Sequence, residues 1–164
     1  MMVRNRRVCN IVKKYNAENI GSVLNNPEMV AKMIKSILDS MDRQDRDKEI
    51  FFSIGLDIRL YIKYIEIVSI GGLDSAIVSP RELFRTPFIK GGIAQLIIVH
   101  NHPSGDTTPS EEDILITHRF KKAGDLLNIS IIDHIIVASD GKFFSFKANN
   151  LIKENKENED IQNE

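Results

Sequence analysis

Sulfur chemistry is nearly absent: Cys9 is the one cysteine in 164 residues, so neither a disulfide framework nor an all-protein thiolate cluster can be built. No stretch approaches the ~18 consecutive apolar residues of a membrane span. The start, MMVRNRRVCNIVKKYN, has neither the apolar core nor the small-residue cleavage site of a secretory signal. The expected compartment is the cytoplasm, where a lone thiol stays reduced. Charge of one sign is missing too. With 22 Lys+Arg against 23 Asp+Glu the formal charge is −1, which gives no overall attraction to nucleic acid or anionic lipid. There are no internal repeats, and compositional bias is confined to the closing KENKENEDIQNE, whose one large apolar residue is Ile161. Such a segment cannot offset its ordering entropy, so residues 151–164 are expected to form an acidic, disordered tail.

What is present suits one domain with a real core: 42% of residues are hydrophobic, in a length typical of a single folding unit. Residues 1–26 read as an N-terminal arm. Its first 14 residues carry Arg4, Arg6, Arg7, Lys13 and Lys14 with no acid, a solvated face in the plainer reading and an electrostatic tether to nucleic acid in the functional one. Asn26-Pro27 then opens an amphipathic helix over 27–42. Residues 49–56 and 60–70 read as two strands of an antiparallel hairpin turned at Asp57-Ile58-Arg59. Ser79-Pro80-Arg81-Glu82 combines a cap, a first-turn proline and the Glu of a capping box, starting a helix that Gly91-Gly92 ends. Residues 94–99 form a continuously apolar strand of the kind found mid-sheet, a helix follows over 110–127 with Asn128 as its stop, and a hairpin turned at Asp140-Gly141 closes the domain. The alternation predicts an α/β fold, a mixed β-sheet sandwiched between helices.

The central strand runs into His100-Asn101-His102-Pro103-Ser104-Gly105-Asp106-Thr107-Thr108-Pro109-Ser110-Glu111-Glu112-Asp113. Imidazoles at i and i+2 on an extended segment project to one side and can reach one ion. Pro103, Gly105 and Pro109 force a loop, and the next helix places Asp113 in its first turn. Each residue alone has a plain role: a satisfied histidine at a strand end, a first-turn acid at Asp113, an N-cap at Ser110. Together, His100, His102 and Asp113 form a three-ligand set that leaves a zinc ion one open position for water. His118 reads as a partly exposed helical residue. Asp133-His134, on an otherwise apolar strand, is a buried polar pair that needs partners, either in a structural hydrogen bond or in one that orients a ligand.

These residues resemble the JAMM (JAB/MPN+) metalloproteases, whose pattern of H-x-H, seven residues beginning with Pro, then S-x-x-D is met by His100, His102, Pro103, Ser110 and Asp113. HNHPSGD, the later DHIIV and the earlier SPRELF are similar to the RadC-like subfamily. The resemblance places a RadC-like JAB/MPN domain at residues 27–150, in a cytidine-deaminase-like three-layer arrangement. It implies a zinc-dependent hydrolase of amide, peptide or isopeptide bonds that uses a metal-activated water. By the same resemblance Glu49, in Glu49-Ile50-Phe51 ahead of Leu56-Asp57, matches the general acid/base, and the Ser110 hydroxyl would donate to the oxyanion. Zn²⁺ is the implied cofactor and a peptide or protein the implied substrate.

Longer RadC proteins carry a helix-hairpin-helix region before this domain, and some 40 residues precede Glu49 here, so that region is expected to be missing. No insertion of the kind that grips ubiquitin lies between His102 and Ser110. Two rival readings stand beside the hydrolase: a DNA repair or recombination factor of RadC type that uses the basic arm, and a zinc-stabilised scaffold without turnover. No membrane partner is expected, and the sequence does not fix an oligomeric state.

Overall fold

In the computed structural model, residues 6–71 and 78–152 are described. Helices α1 (Arg6–Asn19), α2 (Pro27–Asp39) and α3 (Arg43–Arg46) precede strands β1 (Ile50–Leu56) and β2 (Ile62–Ile70); α4 (Pro80–Lys90), β3 (Gln95–His102), α5 (Glu111–Leu127), β4 (Ser130–Ala138) and β5 (Phe143–Ser145) follow. The five strands form one mixed sheet in the order β2-β1-β3-β4-β5. β1 runs antiparallel to both β2 and β3, β3 and β4 are parallel, and β5 returns antiparallel to β4. The predicted apolar strand is indeed the middle one. Its parallel partner is reached through α5, the crossover that parallel pairing requires.

Each face of the sheet carries its own core. On one, Val30, Ile34, Ile37 and Leu38 of α2 meet Phe52, Ile54, Val99, Ile135 and Val137. On the other, Leu83 and Phe84 of α4 and Ile116 and Phe120 of α5 meet Phe51, Ile98, Ile131 and Ile136. β1 and β3 are therefore covered on both sides, which is why their sequences lack polar alternation. Gly124 lets the chain fold back tightly as it leaves α5: Ile129 N donates to Gly124 O at 2.9 Å, and a Cβ on Gly124 would lie 2.4 Å from the Ile129 carbonyl oxygen. α5 ends as predicted at Asn128, in the left-handed conformation at φ 54°.

Several expectations need correction. The segment 1–26, read as an arm, contains helix α1 from Arg6. The Tyr15 hydroxyl donates to the Ser36 carbonyl, and the Asn16 amide donates to Ile65 O and accepts from Ile65 N, both at 2.7 Å. Asn16 thus covers part of the exposed edge of β2, a tertiary role that charge counting along the chain does not register. Arg4 lies outside the described residues. The helix expected over 27–42 ends at Asp39, with α3 following as a separate exposed turn. The capping box at Ser79 is not formed: its side chain makes no cap bond, while Glu82 engages Arg85 at 3.3 Å. At the other end, Ile152 is buried and Leu151 packs beside it, so the domain extends two residues past the predicted boundary at 150. The rest of the expected tail, 153–164, lies outside the described residues.

Candidate metal centre

His100 and His102 occupy the C-terminal end of β3, with their side chains on the α5 side of the sheet. Pro103 and the turn at Gly105, whose φ of +85° favours glycine, carry the chain to Ser110 and α5. There Ser110 and Asp113 form a reciprocal capping box: Asp113 N donates to Ser110 Oγ at 3.1 Å, and Ser110 N donates to Asp113 Oδ2 at 2.8 Å. Asp113 is therefore locked by its own helix start, 1% exposed, and turned toward the imidazoles.

His100 Nε2 lies 3.0 Å from His102 Nε2 and 3.2 Å from Asp113 Oδ1, and His102 Nε2 lies 3.6 Å from Asp113 Oδ2. Among the described residues, these three form the group of histidine and acid ligands whose donor atoms fall within 4.8 Å of one another. The spacing fits a tetrahedral ion. Ligands bonded at ~2.0–2.1 Å to a common centre stand roughly 3.3–3.4 Å apart along a tetrahedral edge, and the separations here, 3.0 Å between the nitrogens and 3.2 and 3.6 Å to the two Asp113 oxygens, lie around that value. His102 Nδ1 donates to the Asp106 carbonyl at 2.6 Å, which leaves the Nε2 lone pair for a ligand. A His, His, Asp set of this kind can bind a divalent metal.

The electrostatics agree. Burial alone would push the Asp113 carboxyl up, but the His100 and His102 imidazoles beside it and the Ser110 N–H hold it well below the ordinary carboxylate range. The Asp113 hydrogen bond raises His102 above the usual imidazole value against an opposing effect of burial, with the Asp106 carbonyl and the charges of Asp113 and Glu49 adding to the rise. Glu49 precedes β1. Since Phe51 pairs with His100, continuing the antiparallel register by two residues sets Glu49 opposite His102, on the same face as Phe51. Ser110 is exposed at the helix start, and its hydroxyl, having accepted the Asp113 N–H, keeps its own proton for another acceptor.

Three residues near the centre were missed or left undecided by the sequence. Asn101, between the two histidines, points the other way and is 5% exposed. Its amide donates to Lys48 O at 3.0 Å and accepts from Ile50 N at 2.8 Å, so it clamps the backbone on both sides of Glu49. A buried asparagine in an apolar strand was the available signal. His134 and Thr117 lie behind His100, with His100 Nδ1 and His134 Nε2 2.8 Å apart and His134 Nδ1 against Thr117 Oγ1. Burial, then the charge of His100, holds His134 well below the usual imidazole range. Asp133, its neighbour, does not touch the centre: it accepts from Ser145 Oγ at 2.6 Å, His134 N at 2.8 Å and Lys147 N at 3.0 Å, tying β4 to the end of β5. His118 is exposed, as expected.

A family model described as RadC-like JAB domain matches residues 2–151. A UPF0758 protein from Moorella thermoacetica is 42% identical over 131 residues, covering 80% of this chain and 54% of that protein. A UPF0758 protein from Clostridium perfringens is 37% identical over 146 residues, 88% of this chain and 61% of the relative. One from Thermotoga maritima is 40% identical over 121 residues, 74% and 54% respectively. The chain thus spans a little over half the length of these relatives.

Proposed function

The chain belongs to the RadC-like JAB domain family, and on that premise we propose that it is a zinc-dependent hydrolase of amide bonds, peptide or isopeptide, acting on a peptide or protein. The observation that carries this reading is the convergence of His100 Nε2, His102 Nε2 and the Asp113 carboxylate, with the two nitrogens 3.0 Å apart and each within 3.6 Å of a carboxylate oxygen. A bound zinc ion supplies a Lewis acid and an acidified water at neutral pH. The protein supplies the rest. The Glu49 carboxylate takes a proton from the attacking water and returns it to the leaving amine, a role worth about 10² to 10⁴ in rate. The Ser110 hydroxyl, held by the Asp113 N–H at 3.1 Å, donates to the carbonyl oxygen as negative charge develops there. One such donor contributes about 2.7–4 kcal/mol to transition-state stabilisation. Asn101 keeps the Glu49 backbone in register with His102.

Metal content of the purified protein beside His102→Ala tests the reading before any substrate is known. We expect about one zinc per chain in the wild type and a large deficit in the variant; equal zinc in both overturns it. Glu49→Gln is expected to keep its zinc and lose turnover by about 10² to 10⁴. The DNA-associated alternative rests on the basic residues of 1–14. Of these, Lys13 and Lys14 are exposed on α1, and Lys14 lies 3.9 Å from Glu18.

A further inference from the structure

Behind the ligand set lies a buried chain of polar side chains that amide hydrolysis does not require. His100 and His134 are 0% exposed and Thr117 1%, so no solvent competes for their bonds. Thr117 Oγ1 lies within hydrogen-bond distance of both Asp113 O and His134 Nδ1. His134 Nε2 in turn faces His100 Nδ1 at 2.8 Å. A carbonyl oxygen only accepts and a hydroxyl has one proton. If every contact is a hydrogen bond, the polarity of the whole chain follows: Thr117 donates to Asp113 O, His134 Nδ1–H donates to Thr117, and His100 Nδ1–H donates to His134 Nε2. The opposite polarity would put a proton on His100 Nε2, facing Asp113 Oδ1 at 3.2 Å, and occupy the lone pair that a metal needs.

We propose that His134 and Thr117 are positioning residues for the metal centre, fixing His100 in the tautomer whose Nε2 presents a lone pair beside His102 and Asp113. The proposal rests on the reading of those three residues as metal ligands. The fold builds the chain from three elements. Asp113 and Thr117 are one helical turn apart on α5, and His134 pairs with Ile98, diagonal to His100 on the neighbouring parallel strand. Because Leu96 pairs with Ile131 and Ile97 with Asp133, Ile132 is the extra residue of a bulge in β4. The bulge returns His134 to the α5 face that Ile131 also occupies. Phe146 stacks on His134 at 4.6 Å and Phe51 on His100 at 6.2 Å, holding both ring planes. The chain begins at the Asp113 carbonyl and ends at His100, whose Nε2 lies 3.2 Å from the Asp113 carboxylate, so helix, sheet and ligand orientation are fixed together.

Imidazole ¹⁵N spectra of the metal-free protein, with zinc competition titrations of the wild type, His134→Phe, His134→Gln, Thr117→Val and His102→Ala, test this. We expect Nδ1–H, Nε2-unprotonated rings at both His100 and His134. His134→Phe keeps the aromatic packing but has no acceptor, and zinc affinity should fall about 10- to 100-fold. His134→Gln can set a carbonyl oxygen where Nε2 lies, and should stay near wild type. Thr117→Val should weaken zinc binding in the same direction and give a mixture of His100 tautomers. A folded His134→Phe with wild-type affinity, a Gln variant no better than Phe, or an Nε2–H ring at His100 overturns the proposal. Should the Phe variant fail to fold, Thr117→Val and the wild-type spectra decide. A wild type that takes up no zinc overturns the metal reading itself; one that binds zinc, with the Phe variant binding equally well, overturns only the positioning role.

Discussion

His102 has one nitrogen committed to the Asp106 carbonyl and the other to the ligand set, so its proton and a metal compete for the same lone pair. Its raised pKa, due first to the Asp113 hydrogen bond, fixes the sign of two pH dependences. In the metal-free protein the protonated ring is favoured by folding. That contribution is fully present below the unfolded value near ~6.5 and is lost as pH rises through the higher folded value. Zinc binding runs the other way, because the proton must leave first. Asp113, held low, stays ionised throughout and adds no slope. Zinc affinity is therefore expected to rise between about pH 6 and pH 8 and to flatten above the folded pKa of His102. Competition titrations across that range check it; a flat profile would remove His102 from the ligand set.

Helix α5 starts where the site does, and Ser110 serves both. Replacing it by alanine removes the acceptor for Asp113 N and should cost about 0.5–2 kcal/mol of stability, whereas glycine should cost only about a few tenths; urea unfolding of the two variants checks this. Both variants lose the hydroxyl, so equal loss of turnover with unequal loss of stability separates cap from catalysis. Asn101 acts between β3 and the entry to β1. Asn101→Leu strips partners from Lys48 O and Ile50 N and should destabilise by about 1–3 kcal/mol while leaving zinc content intact. The sequence made the elements legible wherever their evidence was local: the apolar run of β3, the proline and asparagine that open α2, the left-handed stop at Asn128. It also marked His100, His102 and Asp113, because an H-x-H pair and a first-turn acid are short-range patterns. What it could not display were contacts that close over distance. Asn16 reaches Ile65 at the edge of β2, the bulge at Ile132 turns His134 toward α5, and Asn101 spans residues 48 and 50. Glu82, which completes a capping box on paper, is drawn to Arg85 instead.

At the scale of the whole molecule, the two cores decide what removing the metal does. One joins Ile34, Ile37, Phe52, Ile54 and Val99, the other Leu83, Phe84, Phe120, Ile98 and Ile136, and both are built from apolar contacts that need no ion, with His100 stacked on Phe51 at the edge of the second. Fully burying side chains of this size contributes about 1.5–3 kcal/mol each before entropy is counted, so the fold should persist without zinc. The ion then stabilises by mass action alone. At a free zinc concentration of about 100 times Kd the gain is about 2.7 kcal/mol, which for a chain of this length is a rise in Tm of about 5–11 °C. Differential scanning calorimetry should show that rise in the wild type, its reversal by a chelator to a folded metal-free baseline, and no response in His102→Ala. Unfolding at room temperature on chelation would contradict the argument and recast the ion as the structural kind, whose binding energy is folding energy. A closed site of that sort has no use for Glu49 beside His102 or for a serine hydroxyl left with a proton to give.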